Sequence, residues 1–373
     1  MGTIKCQTIA NMIEELAPKR LAEAWDNVGL LVGDGSSKIQ KILVCLDATE
    51  WVIEEAIEQG ADMIVCHHPI IFGGIKRITA DTVLGRKLIR LISKSISVYC
   101  AHTNYDIAKE GLNDIFAKRL GFNSFSLIEP TQTEKLYKII VYIPQGHEDK
   151  IFNALMKAGA GHIGNYSSCS FRTEGMGTFL PQEGTQPFIG QVGKLEMVHE
   201  TKLGTIVPQS LLNKTIKALI KAHPYEEPAY DIMPLENKGD SLGLGRIGEL
   251  EQETTLAIYA DHVKTALNID KVRIAGNPNQ KIKKVAMLNG AGNKFVSAAR
   301  FAGADVFVTG DMQYHEMADA VEAGISIIDA GHFATEGIMI PAMADYLRNK
   351  CLEQGYLVEI LESRSNKDIS VII

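Results

Sequence analysis

The sequence predicts an α/β fold: two related α/β halves forming one domain, interrupted by an inserted ferredoxin-like α+β domain. Three observations carry this reading. Short apolar runs alternate with amphipathic helical stretches near both ends of the chain. The two ends share landmarks at the same spacing. The middle has another texture, with strands doubled between two helices.

In residues 1–130, Ile42–Leu46, Asp62–Cys66 and Ile96–Cys100 are apolar runs of strand length. Glu50–Gln59 and Val83–Ile92 lie between them, the former with Val52, Ile53, Ala56 and Ile57 on one helical face. Strand, helix, strand, helix, strand implies parallel pairing with helical crossovers. Residues 246–373 repeat the plan with strands Val285–Leu288, Asp305–Val308 and Ile325–Ile328 and helices Lys294–Phe301 and Gln313–Glu322. Lys41 stands nineteen residues before the turn Gly60-Ala61-Asp62, and Lys284 nineteen before Gly303-Ala304-Asp305. Each third strand runs into His-x-x-x-carboxylate, His102 to Asp106 and His332 to Glu336.

Residues 131–245 read differently. The order is strand (Leu136–Ile143), helix (Asp149–Ala158), strands (Tyr166–Arg172, Gly177–Leu180, Gly193–Val207), helix (Ser210–Ala222) and strand (Ala229–Pro234). That is the β-α-β-β-α-β plan with an extra strand, expected for an inserted domain. Asn237–Gly245 reads as a Gly-rich return linker.

At roughly 150 residues per domain, 373 residues suggest two or three domains. Hydrophobic residues at 46% and charged residues at 22% exclude global disorder. No apolar run approaches the roughly 20 residues of a membrane span. Met1–Ala17 has helical spacing rather than the order of a secretory signal, and Cys6 stands where a myristoylation signal needs Ser or Thr. A net charge of −7 argues against a nucleic-acid partner, and an anionic nucleotide would need a local cation. The six cysteines form no C-x-x-C pair. Cys45, Cys66 and Cys100 sit in strand-like runs and read as small buried hydrophobes in a reducing cytoplasm.

The sharpest local signal is His67-His68-Pro69 at the end of a strand. Neighbouring side chains there should point to opposite sides, so the pair suits two different ions better than one. Capping or hydrogen-bonding histidines are the plainer alternative. A helix beginning near Phe333 puts His332 and Glu336 on one face, where the carboxylate can bridge two ions. His102 and Asp106 repeat the arrangement, with His102 free to ligate, to orient a ligand or to move protons. All these groups lie at the carboxyl ends of expected parallel strands, where open α/β sheets build sites. Mixed imidazole and carboxylate donors suit zinc, iron or manganese better than calcium. Few protein ligands for two ions leave positions for water or substrate, and water between two ions is acidified towards neutral pH.

At these residues the chain resembles the NIF-three-like family, often catalogued as "GTP cyclohydrolase I type 2 homologue". Trp25-Asp-Asn-Val-Gly-Leu30, Cys66-His-His-Pro69, His102-Thr-Asn-Tyr-Asp106 and Gly331-His-Phe-Ala-Thr-Glu336 carry the resemblance across both outer segments. It implies a dinuclear metal centre, with His68 and Asp106 on one ion, His67 and His332 on the other, and Glu336 bridging. It also implies a ring-shaped homohexamer whose sites face an internal cavity. Long members carry an insertion similar to PII signalling proteins and the CutA fold, and His223-Pro-Tyr-Glu-Glu-Pro228 resembles the CutA stretch.

Asp26, Asn27, Asp47, Asn289, Asp311, Gln313 and His315 are further polar residues near strand ends. Asp26 and Asn27 line the site or form a turn. Asp311 or His315 shuttles protons, or Asp311 caps a helix and His315 is a surface residue. Gly290-Ala-Gly292 reads as a tight turn more readily than as a phosphate loop. Two functions follow. One is a metal-dependent hydrolase, opening the GTP ring or cleaving a phosphoester, with His102 or His315 as general acid or base. The other is a non-enzymatic metal-binding or regulatory protein that senses a small ligand through the inserted domain.

Overall fold

Strands covered on both faces must be apolar throughout, and the central runs of this chain are used that way. The computed structural model describes residues 4–370, so Met1–Thr3 of the N-terminal segment fall outside the described residues. The chain up to Thr131 and from Leu242 onward forms one compact unit, and Gln132–Ser241 forms another.

In the first unit a five-stranded sheet has the order Glu359–Glu362, Lys41–Cys45, Met63–Cys66, Ser97–Cys100, Gly29–Val32. The first four strands are parallel and the last is antiparallel. A six-stranded sheet has Ser326–Asp329, Val306–Gly310 and Lys281–Ala291 parallel at its centre. Arg273–Ala275 flanks them antiparallel on one side; on the other, Arg246–Thr255 runs antiparallel to them and Ser126–Leu127 antiparallel to it. Alternation divides the side chains among three clusters. Val44, Val65 and Tyr99 join Val285, Met287, Val308 and Ile328 in one core shared by both sheets, with Ile9 and Ile13 of the helix Cys6–Leu16 and Met343. Leu43, Ile64 and Val98 pack with Val52, Ile53 and Leu88 of the crossover helices, and Cys45, Cys66 and Cys100 join them there. Ala286, Phe307 and Ile327 form the third cluster. Each buried Ile, Leu or Val contributes roughly 1.5–3 kcal/mol, far more than any local helix propensity.

The matching landmarks have a common physical cause. Asp62 Oδ2 accepts from the backbone N–H of Gln40 and Lys41 at 2.7 and 3.0 Å. Asp305 Oδ2 accepts from Lys283 and Lys284 at 2.8 Å each. Asp62 N–H donates to Lys41 O, and Asp305 N–H to Lys284 O. In both places one aspartate fastens the start of one strand to the start of its parallel neighbour.

Thr131 N–H donates to Leu242 O at 3.0 Å, so the chain leaves and re-enters the first unit at one point. The buried Arg246 then pairs with the buried Asp114 at 2.5 Å and donates to Gly243 O and Gly245 O. Removing one partner of such a pair costs about 3–5 kcal/mol.

The second unit has four strands in the order Tyr230–Leu242, Gln132–Pro144, Glu196–Pro208, Ser170–Phe179. Ile139, Val141, Ile143 and Leu203 pack with Ile151 and Leu155 of the helix Glu148–Ala158 and Leu219 of Gln209–Ala222. Two expectations need correction. The doubled strands Tyr166–Arg172 and Gly177–Leu180 are one strand, Ser170–Phe179. Within it a Cβ at Gly177 would lie 2.2 Å from Glu200 Oε2, so glycine permits a close approach. Most of the expected linker Asn237–Gly245 belongs to the strand Tyr230–Leu242, where Gly239 lies against the Glu134 backbone.

Among the described residues no helix is long and apolar enough to cross a membrane.

His223 ends the second helix of this unit. Its Nε2–H donates to Tyr142 O at 3.0 Å, and its Nδ1 accepts from Tyr225 N–H at 3.1 Å. Burial lowers its pKa, and protonating Nδ1 would break the second bond. The unfolded chain therefore binds the extra proton first. The contribution to stability is present above pH about 6.5 and is lost as pH falls below it. An NMR titration of the His223 ring should give a midpoint below that of an exposed histidine, and a midpoint at or above it would remove this account.

Candidate metal centre

The strand Met63–Cys66 ends before the two histidines. The N–H groups of His67 and His68 both donate to Leu46 O, at 3.1 and 3.0 Å. This bend removes the alternation that would throw the two side chains apart, and their rings stand 5.3 Å from each other. The expected opposition of His67 and His68 is therefore wrong, because they lie beyond the strand. The thiols of Cys100 and Cys66 donate to the carbonyls of His67 and His68 at 2.9 and 3.3 Å. Burial pushes the Cys100 thiol up, so it keeps the proton it donates.

His102 opens the short helix Thr103–Ile107, which carries Asp106. On the other sheet Gly331, at φ +85°, turns the chain into the helix His332–Glu336. These elements bring His67, His68, His102, Asp106, His332 and Glu336 together. Ring centroids are 5.1 Å apart for His67 and His102, 5.5 Å for His68 and His102, and 5.3 Å for His68 and His332.

Each of the four imidazoles is held at Nδ1. His67 meets Ala101 O at 2.8 Å, His68 meets Asp47 Oδ1 at 2.8 Å, His102 meets Asp26 Oδ1 at 2.9 Å, and His332 meets Asp311 Oδ2 at 2.7 Å. A carbonyl only accepts, so His67 carries its proton on Nδ1 and offers a lone pair at Nε2. The carboxylates favour the same tautomer in the other three, the arrangement that orients metal-binding histidines. Asp26 also accepts from Thr103 N–H at 3.1 Å, and Asn27 donates to Ile71 O at 2.7 Å. Asp311 does not cap the following helix, whose first turn is closed by Gln313 N–H donating to Glu316 at 2.8 Å. It has φ +55° instead, a conformation worth about 1–3 kcal/mol of strain outside glycine, and its carboxylate meets His332.

The Nε2 atoms of His67, His68 and His332 face two buried carboxylates. Glu336 Oε1 lies 3.9 Å from His67 Nε2, while Oε2 lies 2.8 Å from His68 Nε2 and 2.9 Å from His332 Nε2. Asp106 Oδ1 lies 3.6 Å from His67 Nε2 and accepts from Asn289 at 2.8 Å. His68 Nε2 and His332 Nε2 approach each other to 3.3 Å. His67 Nε2 and Glu336 Oε2 are buried without a hydrogen-bond partner, because the short approaches to Oε2 lack hydrogen-bond angles. Two such groups cost about 1–3 kcal/mol each unless a cation lies among them. The donor atoms of His67, His68 and His102 lie within 4.8 Å of one another, as do those of His68, His332 and Glu336. The residues fit a metal ion.

The charges agree. Burial holds His67 neutral, down to about 3. Burial also opposes charge on His68, but Asp47 and Glu336 outweigh it and raise it to about 10. Glu336, helped by Asp311, raises His332 to about 9. Burial and then the Glu336 charge push Asp106 up. Burial would raise Glu336 too, but His332 and His68 hold it well below the usual carboxylate range.

The resemblance grouped His68 with Asp106 and His67 with His332. The distances group them otherwise: His67 stands with Asp106, His68 with His332, and Glu336 reaches each pair with a different oxygen. His315 is exposed and makes an edge-on ring contact with Tyr314; among the described residues it has no hydrogen bond to the cluster. Sequence reasoning gave Asn289 no role, yet its amide spans Asp106 and Glu336. Gly290-Ala-Gly292 is no simple turn: the strand Lys281–Ala291 takes in Gly290 and Ala291 after a shift in register, and Gly292 follows it.

A family model described as Duf34/NIF3 (NGG1p interacting factor 3) matches residues 4–369. The chain belongs to the Duf34/NIF3 family. A Halalkalibacterium halodurans relative called "GTP cyclohydrolase 1 type 2 homolog" is 46% identical over 362 residues, covering 97% of each chain. A Bacillus subtilis relative of the same description is 43% identical over 364 residues, 98% of this chain and 97% of that one. The crystal structure of a Bacillus cereus protein related to NIF3 matches all of both chains at 43% identity, with a TM-score of 0.94.

Gly290 gives this NIF3 centre a sensitive point. It has φ +63°, and a Cβ would lie 2.2 Å from Glu336 Oε1. Gly290→Ala should displace the carboxylate and weaken metal uptake by about 10–100-fold, as loss of supporting contacts does elsewhere. Elemental analysis after metal-supplemented purification measures it, and undiminished metal content would show that Glu336 does not need its present position.

Proposed function

We propose that the protein is a dinuclear-metal-dependent hydrolase acting on a nucleotide-like substrate. One observation carries this reading: four imidazoles are held at Nδ1, and three of them, His67, His68 and His332, bring Nε2 to 2.8–3.9 Å from Glu336, whose two oxygens face different histidines. One ion would be held by His67, Asp106 and Glu336, the other by His68, His332 and Glu336. Zinc suits these donors, as do iron and manganese. Bound there, the metal would supply acidified water and polarise a substrate oxygen. The Asp26–His102 pair would hold and move the proton, with Asp26 kept ionised, down to about 2, because His102 and Thr103 outweigh the effect of burial. His315 remains a weaker candidate for the same role.

The substrate class rests on the surroundings. Trp25 and Phe72 are 62% and 60% exposed and stand edge-on to the His102 ring at 5.8 and 6.2 Å. Phe72 also lines a recess of about 620 Å³ that holds Lys76, Arg77 and Lys87 and no carboxylate. Exposed rings beside local cations fit a base and its phosphates, and the relatives' descriptions name GTP. The five free buried cysteines, Cys6, Cys45, Cys66, Cys100 and Cys351, suit a reducing cytoplasm.

We read residues 131–245 as a PII/CutA-like domain inserted between the halves 1–130 and 246–373. Its strand order, fourth-first-third-second, is that of a ferredoxin-like sheet. Exposed apolar residues such as Phe171, Met176 and Met197 would be covered in the homohexamer that the resemblance implies. Such a domain also supports the second reading, a sensor that binds its ligand without consuming it.

Turnover separates the two. The metal-loaded protein should release formate or phosphate from nucleotides, at a rate set by the metal, and a broad nucleotide screen without turnover would leave only the sensor. Glu336→Gln should lose both ions, whereas His67→Ala should lose mainly one. Equal single-ion losses would show that Glu336 does not bridge. Because Thr131 and Leu242 are hydrogen-bonded, a short linker joining them should leave a folded, metal-binding protein. An insoluble product, with the full chain normal under the same conditions, would mean that the middle segment helps to build the core.

A further inference from the structure

The inserted unit contains a cavity of about 480 Å³ that the metal chemistry does not use. Its residues all come from that unit: from the strands Gln132–Pro144, Ser170–Phe179 and Glu196–Pro208, the loop that follows Phe179, and the stretch after His223. Phe179, Phe188 and Tyr225 supply three rings. Tyr225 lies 6.0 Å from Phe179 and 6.2 Å from Phe188, centroid to centroid, so the three form one curved wall. The neighbouring ring of Tyr142 already has the Lys202 ammonium 5.9 Å from its centroid. Glu200, Glu226 and Glu227 supply three carboxylates, and none of the lining residues is Lys, Arg or His.

The polar contacts fix these groups without neutralising them. The Tyr225 hydroxyl donates to Glu200 Oε1 at 3.0 Å, and burial with the nearby Glu200 keeps the phenol protonated. Glu226 Oε2 accepts from Gln186 N–H at 3.1 Å. Both are bonds from neutral donors, so the negative charge stays. Ring faces are the negative part of an aromatic quadrupole, and they attract a cation that has shed part of its water. An anion, including a nucleotide, would meet three carboxylates and, among the lining residues, no Lys, Arg or His.

We propose that this cavity binds a small organic cation, an ammonium or guanidinium held against the Phe179, Phe188 and Tyr225 rings and neutralised by Glu200, Glu226 and Glu227. The site lies outside the metal chemistry and stands whether or not the protein is a hydrolase. Its ligand is opposite in charge to the substrate proposed for the metal centre.

Calorimetric titration of the full-length, metal-loaded protein tests this, with choline and agmatine as probes. Their uncharged isosteres 3,3-dimethylbutan-1-ol and pentylurea are the controls. At least one cation should bind, and at least about tenfold more tightly than its isostere. Phe188→Leu keeps apolar volume but loses the ring, and should weaken that cation about tenfold, equivalent to about 1.4 kcal/mol. Glu227→Gln should weaken it severalfold, with stronger effect at low salt. Both side chains are exposed, so folding is not at stake, and metal content should be unchanged in each. The proposal is overturned by no binding of either cation up to about 10 mM, which is weaker than ordinary specific recognition. Equal binding of cation and isostere would also overturn it, leaving an apolar cavity without charge selection. So would full affinity in both variants.

Discussion

A fully buried imidazole must stay neutral, and in a protein interior each of its nitrogens needs a partner. His67 is such a residue, and the arrangement of the first unit follows from satisfying it. Ala101, one residue beyond the strand Ser97–Cys100, presents the carbonyl that takes Nδ1. Ala101 N–H in turn donates to Cys66 O, continuing the parallel pairing past the strand ends. Leu46 O holds the two backbone N–H groups of the bend, and the Cys100 thiol holds its carbonyl. One nitrogen is thus satisfied by three parallel strands acting together, and the other is left without a hydrogen bond beside two carboxylates. The fold places His67 where only a cation or a proton donor can complete it.

The two halves solve related problems with one difference. His102 and His332 both follow a third parallel strand, and each is held at Nδ1 by an aspartate from another loop. Four residues on, one half has Asp106 and the other Glu336. The shorter side chain approaches His67, whereas the longer one reaches His67 with one oxygen and His68 and His332 with the other. A single methylene separates a local donor from a group that faces both sets. Asn289 and Gly290, side by side on the strand Lys281–Ala291, secure that longer reach: the amide contacts Glu336 Oε1, and the missing Cβ leaves room for it.

The parallel strands and the histidines at their ends were legible because each leaves a local trace: an apolar run, then a polar residue. The aspartates behind the histidines were not. Asp47 and Asp311 act across loops on His68 and His332, twenty-one residues away in each case, and nothing at either position names its partner. Asp311 looked like a helix cap because its left-handed backbone is invisible in the sequence. The pair His67-His68 misled for a related reason: alternation holds only while a strand lasts, and the strand ends at Cys66. In the middle segment, the glycines of Asn237–Gly245 suggested a linker. Gly177 and Gly239 lie within strands, where what they accommodate is a neighbour's side chain or backbone.

Net charge was the least informative property, and the reason is spatial. A chain of charge −7 suggests repulsion of anions, yet a potential is felt over about a Debye length, roughly 8–10 Å in physiological salt. Over that range the recess at Phe72 presents Lys76, Arg77 and Lys87, while the cavity at Phe188 presents Glu200, Glu226 and Glu227. Both combine exposed aromatic rings with charge of one sign, so both attract flat or apolar bodies bearing the opposite charge. Which ligand each cavity suits is therefore a matter of the charges that line it, not of the net charge of the chain.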